Sequence, residues 1–173
     1  MNIFFEVKAK FTKVDDGTGK EKRVVERYLV DAVSVTEAET RATKELEQMV
    51  SGEFSINNAN QSNITKAYHS NSGGVYYKCK VSFIDIDSVS GKEKKTSDYM
   101  LVEAESVKDA YEKLEEKLNT MITPYEIPSI TKSPIVDTFQ YVTEDEEVPD
   151  GFKKVEDKES NSVEYSDEEL LEQ

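Results

Sequence analysis

The chain has 173 residues, 36 of them acidic and 22 lysine or arginine, for a formal charge of −14. One cysteine and one histidine permit no intrachain disulfide and no nitrogen and sulfur ligand set for structural zinc. With no run of 18 apolar residues and no secretory leader pattern, the expectation is a cytoplasmic protein without a membrane-spanning segment.

The charge is unevenly spread. Residues 143–173 hold 13 acids against Lys153, Lys154 and Lys158, a net of −10, which leaves 19 bases and 23 acids for residues 1–142. A nearly balanced body therefore carries an acidic appendage.

Near the N-terminus Phe5, Val7, Ala9 and Phe11 alternate with Glu6, Lys8, Lys10 and Thr12. A period of two predicts a strand with one buried and one wet face. Asp15-Asp16-Gly17-Thr18-Gly19 supplies turn chemistry before a second apolar run, Tyr28-Leu29-Val30, so the unit opens with a hairpin. Ser34-Val35-Thr36-Glu37 is a capping box, and Val35, Ala38, Ala42, Leu46 and Met49 follow at spacings of three and four. That stripe predicts a helix able to cover the apolar side of the hairpin. Ser51-Gly52 ends it; Phe54 and Ile56, then Ile64 to Tyr68, read as extended or short irregular structure, and Asn71-Ser72-Gly73-Gly74 is a linker.

The pattern then recurs. A shift of 72 lays Phe5–Phe11 on Tyr77–Phe83, and Gly19-Lys20-Glu21-Lys22 on the identical Gly91-Lys92-Glu93-Lys94. The same shift lays Tyr28–Ala32 on Met100–Ala104. Ser106-Val107-Lys108-Asp109 is the shorter cap variant, followed by Val107, Ala110, Leu114, Leu118 and Met121; Thr123-Pro124 ends that helix, and Tyr125, Ile127 and Ile135 to Phe139 close the copy. The expected fold is α+β: two tandem pseudo-symmetric ββαβ repeats with antiparallel sheet, residues 3–70 and 75–142. An acidic, disordered tail over 143–173 follows.

The segments Tyr28–Glu39, Ser51-Gly52-Glu53-Phe54, Tyr77–Val81 and Ser90–Lys95 resemble the signature stretches of an uncharacterised family, domain of unknown function 4494. The resemblance covers about residues 3–142. It implies an origin in Bacteroidetes or in phages that infect them, and it carries no catalytic residues over.

Two short motifs fail on their own terms. Gly17-Thr18-Gly19-Lys20-Glu21 has the glycines and lysine of a phosphate loop, but Val14 and Glu21 stand where a glycine and a hydroxyl are required. Asp85, Asp87 and Gly91 approach a calcium loop, yet Val89 occupies a ligand position and the glycine comes one place late. Plain hairpin turns explain both. Cys79 lies in an alternating strand, where a small buried hydrophobe is expected. No nucleophile, base or metal constellation appears, so the expectation is a non-enzyme without a cofactor.

The wet strand faces are more informative. Lys8, Lys10 and Lys13 correspond to Lys78 and Lys80, with Lys22 and Arg23, Lys94 and Lys95 on the hairpins and Tyr76 and Tyr99 nearby. Cations for phosphates and flat rings for bases are what sequence-tolerant single-strand binding requires; the plain alternative is that lysine keeps exposed strands soluble. In the tail, Asp167, Glu168, Glu169, Leu170 and Leu171 set acids around two leucines, which reads either as bait for a partner protein's basic, apolar groove or as a plain solubility tail. The leading expectation is a non-catalytic single-stranded nucleic-acid-binding protein of replication or recombination, with a regulatory acidic tail. The alternatives are an adaptor, inhibitor or nucleic-acid mimic acting through the tail, and a virion-associated structural protein.

Overall fold

A computed structural model describes residues 3–140. The predicted tail, with Asp167, Glu168, Glu169, Leu170 and Leu171, lies outside the described residues. The fold is mixed α+β, with two four-stranded sheets and two helices. In chain order the elements are β1 (Phe4–Val14), β2 (Glu21–Asp31), α1 (Val35–Met49), β3 (Phe54–Gln61), β4 (Ile64–Tyr68), β5 (Val75–Ile86), β6 (Glu93–Ala104), α2 (Val107–Leu118), β7 (Tyr125–Lys132) and β8 (Ile135–Phe139). Among the described residues no helix is long and apolar enough to cross a membrane.

Both hairpins close as their turn residues dictate. The Asp15 carboxylate accepts from the amides of Gly17 and Thr18, both at 2.9 Å, and Gly19 takes the left-handed φ of 65° that completes the turn. Asp87 does the same for Val89 and Ser90, with Gly91 at φ 67°. The amides that a phosphate loop would offer are thus spent on Asp15, whose carboxyl is held below its ordinary range chiefly by the Thr18 amide. The carboxylate a calcium loop would offer at Asp87 is likewise held by the Ser90 and Val89 amides.

Each helix starts at the predicted serine. Ser34 Oγ accepts from Glu37 N at 3.1 Å and Ser106 Oγ from Asp109 N at 3.1 Å. The reciprocal bonds reach one residue before the cap: Val33 N donates to Glu37 and Glu105 N to Asp109. Ala38, Ala42 and Leu46, and Ala110, Leu114 and Leu118, are fully buried on the sheets. The ends of the stripes differ from expectation, since Val35 and Val107, the first residues of their helices, and Met49, the last of α1, are exposed. Cys79 is fully buried in the second core, and burial pushes its thiol up to about 11.

The closing segments bring two corrections. Each half ends in two strands, not one, and the sheets are not purely antiparallel: the orders are β3-β1-β2-β8 and β4-β6-β5-β7, with β2–β8 and β4–β6 parallel. The last strand of each half therefore joins the other half's sheet. Connection length rules out one alternative, a place for β4 in its own sheet beyond β2. From β3 to a place beyond β2 the chain would cross three strand spacings, about 14 Å. The connection holds only Ser62 and Asn63, a reach of at most about 11 Å even fully extended. The chain instead turns onto the second sheet. Ser62 N donates to Phe4 O at 2.7 Å as the last bond of one ladder, and Ser62 Oγ accepts from Ile64 N as the next strand begins. Ser133 repeats both contacts, with Tyr76 O and Ile135 N.

Three apolar clusters result. One lies under α1 and one under α2; the third, formed by Phe4, Leu29, Ile64, Tyr76, Leu101 and Ile135, draws on the helix-free faces of both sheets.

Candidate functional site

Register settles which predicted site residues share a face. Even-numbered residues of β1 pair with odd-numbered residues of β2, so Lys8, Lys10, Arg23 and Arg27 stand on the helix-free face of the first sheet. On the second sheet the helix-free face carries Tyr76, Lys78, Lys80, Tyr99 and Lys95. Lys13, Lys22 and Lys94 do not join them, because they continue the helix-covered side, in line with Phe11 and Phe83. Lys13 is also committed locally. Its ammonium lies 2.6 Å from Glu26 and 5.7 Å from the centre of the Phe11 ring.

The tyrosines require a correction as well. Tyr76 is 5 % exposed and belongs to the cluster between the sheets, with its hydroxyl 3.0 Å from His69 Nδ1, so its ring is not a platform for a base. Burial, with Asp137 and Glu103 adding to it, pushes that hydroxyl up to about 12. Tyr99 is half-buried and carries the Lys78 ammonium 5.0 Å from its ring centre, while Lys78 also donates to Asn63 Oδ1 at 2.6 Å. Lys95 is paired to Glu126 at 3.0 Å.

What the first sheet offers is a track of two polar hollows along β1. One, of about 350 Å³, is lined by Glu6, Lys8 and Arg27 from the hairpin and by Asn58, Asn60 and Asn63 from β3 and its exit. The second, of about 310 Å³, is lined by Lys10, Thr12, Arg23, Glu53 and Ser55. Each combines two cations, one carboxylate and neutral side chains. Arg27 and the three asparagines were missed by sequence reasoning. Alternation in β2 would have placed Arg27 beside Lys8, but no local signal predicts that β3 lies against β1 with Asn58 opposite Lys8 and Asn60 opposite Glu6.

A second polar group gathers where β4 ends. His69 Nε2 lies 2.7 Å from Thr138 Oγ1 and 2.9 Å from Gln140 Nε2, joining the end of β4 to β8. Beside it Glu103, 8 % exposed, accepts from Ser70 N at 3.0 Å. That bond holds its carboxyl below the ordinary range, helped by the Asn71 and Gly73 amides and by His69, against the opposing effect of burial. The linker between the halves is thus tied to β6 by an ionised carboxylate. A folded pKa depressed below 4.5 contributes stability that is full above that value and is lost as pH falls through the folded pKa. Glu103→Gln is therefore expected to lower the melting temperature at neutral pH, with the deficit against the parent shrinking as pH falls below 4.5. Thermal melts of both proteins across that window check this; a constant deficit would show that charge is not the cause.

The chain matches one described family over residues 3–141. A comparison with curated proteins finds no match, and a comparison with solved structures finds none. Because the match spans both sheets and both helices, the chain belongs to the family described as Domain of unknown function (DUF4494).

Proposed function

We propose that this protein is a non-catalytic binder of single-stranded nucleic acid that holds phosphates along β1 and β2 rather than stacking bases on tyrosines. The observation that carries the reading is the pair of adjoining hollows, Lys8 with Arg27 and Lys10 with Arg23. Lys8 and Lys10 are two residues apart on a strand, about 7 Å, a separation close to that of successive phosphates in an extended strand. Two cations per hollow suit one phosphodiester each, while Glu6, Glu53 and the β3 asparagines suit sugar hydroxyls and base edges. Lys78 and Lys80, at the places corresponding to Glu6 and Lys8, supply a weaker second track, because Lys78 is engaged with Asn63 and Tyr99.

We infer that the two halves are pseudo-symmetric copies of one unit. The matching registers support this: Lys8 faces Asn58 where Lys80 faces Ser129, Phe11 faces Phe54 where Phe83 faces Tyr125, and both ladders slip between those points.

The test is a titration with labelled single-stranded oligonucleotide. Binding is expected at low salt and should fall steeply as salt rises, since each neutralised phosphate releases counterions. Lys8→Glu with Lys10→Glu should weaken binding by at least about tenfold and flatten the salt slope by about two phosphates' worth. Tyr99→Ala should cost little. No binding at low salt by the full chain or by a chain ending at residue 142 would reject the reading and favour a tail-mediated adaptor.

A further inference from the structure

The outer edge of β3 is open in a way that its counterpart is not. β3 and β7 each pair on one side only, with β1 and β5 respectively, and each slips register at the same place. At that slip β7 has Pro128, which has no N–H to offer a neighbour, and it is flanked by Glu126 and Lys132. These are devices that keep an edge strand from pairing with another chain. The corresponding positions of β3 are Asn57, Ser55 and Gln61. Among the described strands β3 alone has no charged residue, and it has no proline. Ser55, Asn57, Asn58, Asn60 and Gln61 are all exposed, and among the described residues the β3 backbone has no hydrogen bond beyond its ladder with β1.

We infer that β3 is a self-association edge, at which a second copy of this chain adds its own β3 antiparallel to form a two-fold dimer. Two observations favour a second copy as the occupant. Because β3 carries no charged residue, two copies of it can meet without opposing like charges across the junction. The side chains of Asn57, Asn58, Asn60 and Gln61 each carry both a donor and an acceptor, so each can bond the polar residue that a two-fold axis sets opposite it, whichever register the axis selects. Backbone bonds would supply the affinity, as in strand addition generally. The proposal stands on the edge and not on the nucleic-acid reading.

Asn57→Pro tests it by giving β3 the residue that β7 already tolerates at the same point of its ladder. Sedimentation velocity of the full chain should show a concentration-dependent dimer. Asn57→Pro should remain monomeric over the same range with its melting profile kept. Hydrogen exchange supplies a second reading that needs no variant: amides of Phe54–Gln61 should slow as concentration rises, while those of Tyr125–Lys132 should not. A full chain that stays monomeric throughout the micromolar range, or a dimer whose β3 amides exchange at the monomer rate, overturns the proposal. So does a dimer that a folded Asn57→Pro leaves intact.

Discussion

Leu101→Ala is expected to lower the unfolding free energy by about 2–5 kcal/mol, the range for removing a fully enclosed leucine side chain. Leu101 has no exposed surface and sits among Phe4, Leu29, Ile64, Tyr76 and Ile135. Six strands of the two sheets meet there, so the cavity has rigid walls on every side and little scope to collapse. Leu29→Ala, at the corresponding place of the first sheet, should cost a similar amount. Leu101→Met, which nearly conserves volume, should cost under about 1.5 kcal/mol. Val33→Ala and Ile122→Ala, at 82 % and 101 % exposure, should stay within about 0.5 kcal/mol. Urea denaturation reads all five. If Leu101→Ala lost no more than the surface variants, the cluster would not be what joins the sheets.

Gly74→Ala is expected to destabilise by about 1–3 kcal/mol or more, although most glycine-to-alanine changes at compatible positions are stabilising. A Cβ at Gly74 would lie 2.5 Å from Ala104 O and 2.7 Å from Ala104 C. Those are backbone atoms of the residue that pairs with Val75, so relief requires opening the start of the β5–β6 ladder. Gly17→Ala makes a control, because its added carbon meets only Asp15 Oδ1, at an ordinary 3.4 Å. Melting temperatures of the two variants should separate clearly. Equal values would mean that the β5 entry yields without cost.

Local chemistry was legible in the sequence wherever the physics is local. Alternation around Phe5–Phe11 and Tyr77–Phe83 reports a strand with one face covered, because successive side chains must point to opposite sides. Ser34 and Ser106 report helix starts, because the first amides of a helix lack partners within it. The offset of 72 sets the second hairpin and helix on the first within the sequence itself. The exchange of β4 and β8 was not legible, since Ile64–Tyr68 has the same composition whichever sheet it joins. It was decided by packing, which sets Ile64 with Tyr76 and Leu101, while the two-residue connection rules out only a place beyond β2. The candidate site divides in the same way. Lys8, Lys10, Lys78 and Lys80 were visible as the wet positions of alternating strands. Whether Tyr76 faces solvent depended on Leu101, Ile64 and Ile135 closing over it from distant parts of the chain. Local periodicity by itself determined the strand faces and the helix stripes; which strands lie side by side, and so which cations share a hollow and which edge stays open, was decided by tertiary structure, through connection lengths and packing that no local pattern encodes.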